Sequence, residues 1–69
     1  MRTQTRDMTE RQFQAALAKH GFGEVGHFGY VALPEPHSNV HVSLLNAGER
    51  RRDQLAYLLR EAEKERVRP

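Results

Sequence analysis

Sixty-nine residues with a formal net charge of +2 and no cysteine admit one domain, which buries only about 60% of its unfolded surface. The lack of cysteine excludes disulfides and thiolate metal sites. No stretch approaches the roughly 18 apolar residues of a membrane span.

Charge is segregated along the chain. Residues 20–49 carry Glu24, Glu35 and Glu49 and no lysine or arginine, a net of −3. The segments on either side are basic, a distribution that permits an anionic partner. A cysteine-free chain fits a reducing compartment. The segment "MRTQTRDMTERQ" lacks the apolar run of a signal peptide, so the expected location is cytoplasmic.

Residues 1–8 are polar and aperiodic and read as a flexible N-terminal segment. Thr9 then opens a capping box with Gln12, each side chain bonding the other's backbone N–H. Phe13, Ala16, Leu17 and His20 follow as one stripe of an amphipathic helix over 9–20, with His20 expected to pack at its end. Gly21 suits the left-handed position past the helix, and Phe22 can fold back onto Leu17.

From Glu24 to Leu33 the period shortens and aromatic and β-branched residues enter, predicting a first strand. Pro34 and Pro36 end it, and "PEPHSN" reads as a connecting loop. Val40–Leu45 is the second strand, and so short a connection predicts an antiparallel hairpin. Pairing Leu33 with Val40 and Val31 with Val42 gathers Val31, Leu33, Val40, Val42 and Leu44 on one aliphatic face for the helices. Phe28, Tyr30, Ala32, His41, Ser43 and Leu45 then face away. A slip by one residue would instead put Phe28 and Tyr30 with Val42 and Leu44.

Asn46, with Glu49 in the reciprocal position, predicts the cap of a second helix. Leu55, Leu58, Leu59 and Ala62 would form its buried stripe, and residues 64–69 a fraying tail. The expected fold is α+β, a single αββα domain over 9–63 with both helices on one face of the hairpin. A two-stranded sheet leaves edges and a face unprotected. Pairing two hairpins edge to edge resolves much of this, so a homodimer is expected.

"FGYV" (Phe28–Val31) resembles the centre of the strand motif by which RNA-recognition domains stack bases on a sheet. That pattern begins with a basic residue and a glycine, whereas Gly26 and His27 stand there, and Leu33 replaces its last aromatic. The resemblance implies Phe28 and Tyr30 as stacking residues. The alternative is that they fill a core or a dimer contact. With "ERQFQAALAKHGF" leading and "NAGERRRDQLAYLLRE" closing, the chain also looks similar to small accessory proteins of bacteria and phages. That likeness implies a non-enzymatic binding role and no particular activity.

No catalytic pattern stands out. Ser38 and Ser43 lack a base with its orienting partner. The four histidines lack the helical spacing of a zinc pair. The glycines of "GFGEVGHFG" follow a helix and enter a strand, the reverse of a nucleotide-binding loop. Neither an enzyme, a metal, a cofactor nor a small-molecule substrate is expected.

Three arginines open the second helix, where the partial positive charge of the helix start disfavours them. Arg51 and Arg52 flank the predicted stripe, while Arg50 points outward with Tyr57, beside Asp53, Arg60 and Lys64. These residues, with Phe28, Tyr30 and His41, are the candidate binding residues. The first functional expectation is nucleic-acid binding, with Arg50–Arg52 on phosphates and the aromatics on bases. The second is a protein-interaction module acting as inhibitor or regulator of a larger complex. A structural oligomer with no other ligand is a third.

Overall fold

A computed structural model of the chain describes residues 7–68. The first six residues of the expected N-terminal segment and Pro69 lie outside them. The element order is helix α1 (Glu10–His20), strand β1 (Tyr30–Ala32), strand β2 (His41–Ser43), a short 3₁₀ turn (Leu44–Ala47) and helix α2 (Arg51–Val67). The expected α+β arrangement of helix, strand, strand and helix is therefore the observed one.

The start of α1 follows from two side chains. The Gln12 N–H donates to the Thr9 hydroxyl at 3.1 Å and the Thr9 N–H donates to the Gln12 amide oxygen at 2.9 Å. At the other end Gly21 takes φ +84°, and its N–H together with that of Phe22 closes the last carbonyls of the helix. Only glycine adopts this conformation without strain. Thr9→Ala removes the reciprocal pair and is expected to lower stability by about 0.5–2 kcal/mol, measured by urea denaturation. An unchanged midpoint would show that the cap contributes nothing.

β1 and β2 form an antiparallel pair with Tyr30 opposite Ser43, Val31 opposite Val42 and Ala32 opposite His41. The Leu33 N–H extends the ladder to the Val40 carbonyl at 2.9 Å. This is the register that gives one wholly aliphatic face. Val31, Leu33 and Leu44 are buried on it with Phe13 and Leu17 of α1, Phe22, and Leu58 of α2. Met8, Val25, Val40, Val42, Leu55 and Ala62 pack around them. Both helices thus lie on the same side of the hairpin.

Both strands are shorter than their sequence patterns. Residues 23–29 turn back beside β1 instead of extending it. Gly23 and Gly26 donate their N–H groups to the Ala32 and Tyr30 carbonyls at 3.0 and 2.9 Å. Gly29, at φ +79°, completes the turn by donating to the Gly26 carbonyl at 3.1 Å. The outer edge of β1 is covered as a result, while among the described residues β2 has no second strand beside it. Beyond β2 the chain coils because the Ser43 hydroxyl accepts the Leu45 N–H at 3.2 Å.

The second helix departs most from expectation. It begins at Arg51, so Asn46 and Glu49 do not cap it; Asn46 is spent in the 3₁₀ turn. Its buried stripe is rotated about the axis. Leu58 is fully buried and Leu55 and Ala62 are half-buried, but Leu59 is exposed and Gln54 is buried in its stead. Burying an amide is tolerable only when its groups are bonded. The Gln54 amide nitrogen donates to the Gly48 carbonyl at 2.9 Å, and its oxygen accepts from Arg51 at 2.8 Å.

The helix extends to Val67, past Glu63 where the expected domain ends. Lys64–Glu61, Arg66–Glu63 and Arg68–Glu65 are paired one turn apart along its end. Exposed pairs of this spacing contribute only a few tenths of a kcal/mol each. His20, expected to pack, is exposed and meets the Phe22 ring only edge-on, with centroids 6.4 Å apart.

Candidate interaction surfaces

The three arginines are not one patch. Arg50 is the exposed residue just before α2 and has no side-chain cap. Arg51 turns inward, its guanidinium 4.4 Å from the centre of the Phe13 ring. It also pairs with Glu10 at 3.0 Å and bonds Gln54. A cation held over a ring and between two acceptors has little capacity left for an outside phosphate. Arg51 and Arg52 are further engaged through their backbone.

The group that engages them is Asp7. One carboxylate oxygen accepts the Arg51 N–H at 3.0 Å and the other accepts the Arg52 N–H at 2.9 Å. The start of α2, where a bound anion would sit, is occupied by a carboxylate from the opposite end of the chain. These two backbone bonds are the main cause holding the Asp7 carboxyl below its usual value, with the nearby Arg50 charge adding to them. Glu10 is lowered too, first by the bond from Gln14 and then by Arg51.

Sequence reasoning missed Asp7 because it lies 44 positions from the N–H it caps. The available signal was negative: a helix start crowded with arginine and lacking a Ser, Thr, Asp or Asn at the capping position. Such a start needs an acceptor from elsewhere.

The second surface is formed by Tyr30 and His41 on the side of the sheet away from the helices, with Phe28 of the turn before β1 and Leu45 of the 3₁₀ turn after β2 adjoining them. Phe28 is 77% exposed, Leu45 78% and Tyr30 50%, and His41 is exposed beside them. A side chain placed on Gly29 would sit 3.9 Å from the Leu45 side chain, so Leu45 flanks the backbone joining Phe28 to Tyr30. Within the single chain Phe28 and Tyr30 therefore fill no core. Tyr57, expected to stand outward with Arg50, is half-buried in α2.

The candidate residues do not converge. Alternation along β1 places Tyr30 opposite in direction to Val31, and Val31 packs under the helices from which Arg51 projects. Tyr30 and the committed arginine thus lie on opposite sides of the sheet. From Gly21 to Glu49 the lobe carrying the aromatics holds no lysine or arginine.

His27 lies in the turn before β1 and His37 in the hairpin loop. Among the described residues no three His, Asp or Glu side chains are grouped as metal ligands. No helix among them is long and apolar enough to cross a membrane. Compared with protein-family models, with curated proteins and with solved structures, the chain matches none.

Proposed function

We propose that the chain is a small non-enzymatic binding protein whose uncovered sheet face is a contact surface for protein. The exposure of Phe28, Tyr30 and Leu45 around Gly29 carries this reading. Exposed aromatic side chains are the usual anchors of a protein interface.

Two observations weigh toward protein and away from nucleic acid. A stacking platform for single strands works with cations that track the phosphates, and the lobe bearing Phe28 and Tyr30 has none. The arginines expected to supply them are divided, with Arg51 spent on Phe13, Glu10 and Gln54.

The reading is tested by capture. Immobilised wild-type chain is expected to retain a discrete protein from a nuclease-treated extract of its own cells. Phe28→Ser and Leu45→Ser are expected to weaken that retention by roughly tenfold or more. Retention that disappears with nuclease, or that follows Arg50 instead of Phe28, would overturn the reading in favour of nucleic acid. Affinity for nucleic acid would then fall steeply with added salt.

A further inference from the structure

We infer that the occupant of this face is a second copy of the same chain, the two sheets meeting face to face about a two-fold axis. The inference rests on the reading of the sheet face as a protein contact surface and names its partner.

Area is the first reason. At their observed exposures, Phe28, Tyr30 and Leu45 together present roughly 350 Å² of ring and methyl surface. A stable interface takes about 800 Å² from each partner, a little over half of it apolar. The three side chains therefore supply most of the apolar share of one half of such a dimer. Edge-to-edge pairing supplies far less. The β1 edge is closed by Gly23 and Gly26, and β2 offers three residues.

Charge is the second reason. A two-fold axis brings each surface against its own copy. Phe28, Tyr30, Ala32, His41, Ser43 and Leu45 carry no formal charge, so the face meets itself without repulsion. The helix side would set the net +3 of residues 50–69 against another +3. The exposed Glu24, Glu35 and Glu49 of the lobe that bears this face carry −3 and lie outside the uncharged residues named. Salt screens exposed charges over a Debye length of about 8 Å at physiological ionic strength.

Among the described residues seven apolar side chains are buried, and the helices that support the hairpin cover only one of its sides. A second copy covers the side that the helices leave open.

Sedimentation equilibrium of the full chain from micromolar to millimolar concentration tests this. The mass is expected to rise from 8.0 kDa toward twice that value, and more readily as salt is added. Leu45→Glu and His41→Glu are each expected to raise the dimer dissociation constant by roughly tenfold to a hundredfold. Both side chains are exposed in the monomer, so helical circular dichroism at low concentration should not change. Val67→Glu, exposed at the far end of α2, should leave the constant unaltered.

A second measurement does not depend on variants. In a mixed isotope-labelled sample, NMR contacts are expected between the Tyr30 ring of one copy and the Leu45 methyls of the other. A single 8.0 kDa species at millimolar concentration would overturn the inference. So would a dimer that ignores Leu45→Glu and His41→Glu and lacks those contacts. If the chain stays monomeric while Phe28→Ser still abolishes capture of another protein, the dimer falls and the contact surface stands. If the dimer forms as described but capture ignores Phe28, the face serves self-association alone.

Discussion

Phe13→Ala is expected to bring the chain to the limit of cooperative folding. Phe13 is wholly buried, and truncating a phenylalanine at such a site costs about 3–5 kcal/mol in lost transfer energy and residual cavity. The total stability of a chain this length is roughly 3–10 kcal/mol. The ring also supports the Arg51 guanidinium 4.4 Å away, so its removal leaves a partly buried cation with one face unpacked. Urea denaturation followed by circular dichroism should show a midpoint less than half the wild-type value, or no cooperative transition at all. Phe28→Ala is the control. It removes a ring of equal size from the surface, and at low concentration should change monomer stability by no more than about 0.5 kcal/mol. Equal midpoints for wild type and Phe13→Ala would mean that the core does not centre where α1 crosses the sheet.

The burial of Phe13 was legible in the sequence, and the reason is locality; the exposure of Phe28 was not, since a core or dimer contact suited its pattern as well. Phe13 falls on the stripe of a helix whose start and stop are written in Thr9, Gln12 and Gly21, all within a turn of the groups they satisfy. Alternation left two hairpin registers open, one residue apart, and only the preference for a wholly aliphatic face chose between them. Placing Val31 opposite Val42 collects the aliphatic side chains on one face and leaves Tyr30 and His41 on the other. The start of α2 was not legible by the same means. Asn46 and Glu49 have the right residue types at the right spacing for a cap. The Ser43 hydroxyl, however, captures the Leu45 N–H first and coils the chain into a 3₁₀ turn. Once the helix begins at Arg51, its apolar stripe rotates. Gln54 then enters the core because Gly48 and Arg51 can satisfy its amide. Rotation also explains why Leu59 and Tyr57 changed places relative to expectation, one outward and one half inward. Of the candidate binding residues, those on the strands could be assigned to a face by period. The arginines could not, since what Arg51 does depends on Phe13 and Glu10 across a separation that periodicity does not encode.

Asp7→Ala is expected to lower the melting temperature by roughly 4–8 °C, the usual consequence of losing a helix N-cap in a domain of this size. The effect is larger than residue position alone would indicate, because Asp7 caps two N–H groups at once. Asp7→Asn keeps one acceptor oxygen and should fall between wild type and alanine. The sign of the pH dependence follows from the direction of the shift. The folded-state carboxyl is held low, chiefly by the Arg51 and Arg52 N–H groups. Its contribution is therefore complete above the ordinary aspartate value near pH 3.9 and is lost as the pH falls through the lowered folded value. The gap in melting temperature between wild type and Asp7→Ala should be constant from about pH 7 to pH 5 and close below about pH 4. Glu10 titrates in the same direction and remains in both proteins, so it does not account for the closing gap. Amide hydrogen exchange separates a lost cap from a general loss of stability. In Asp7→Ala the Arg51 and Arg52 amides should exchange faster than global unfolding allows, while the Phe13 and Leu17 amides of α1 should follow the global rate. A gap that persists unchanged to low pH, or Arg51 and Arg52 amides protected as well as in wild type, would mean that another acceptor satisfies the start of α2. In that case the Arg51–Glu10 pair and the core beneath it still join α1 to α2.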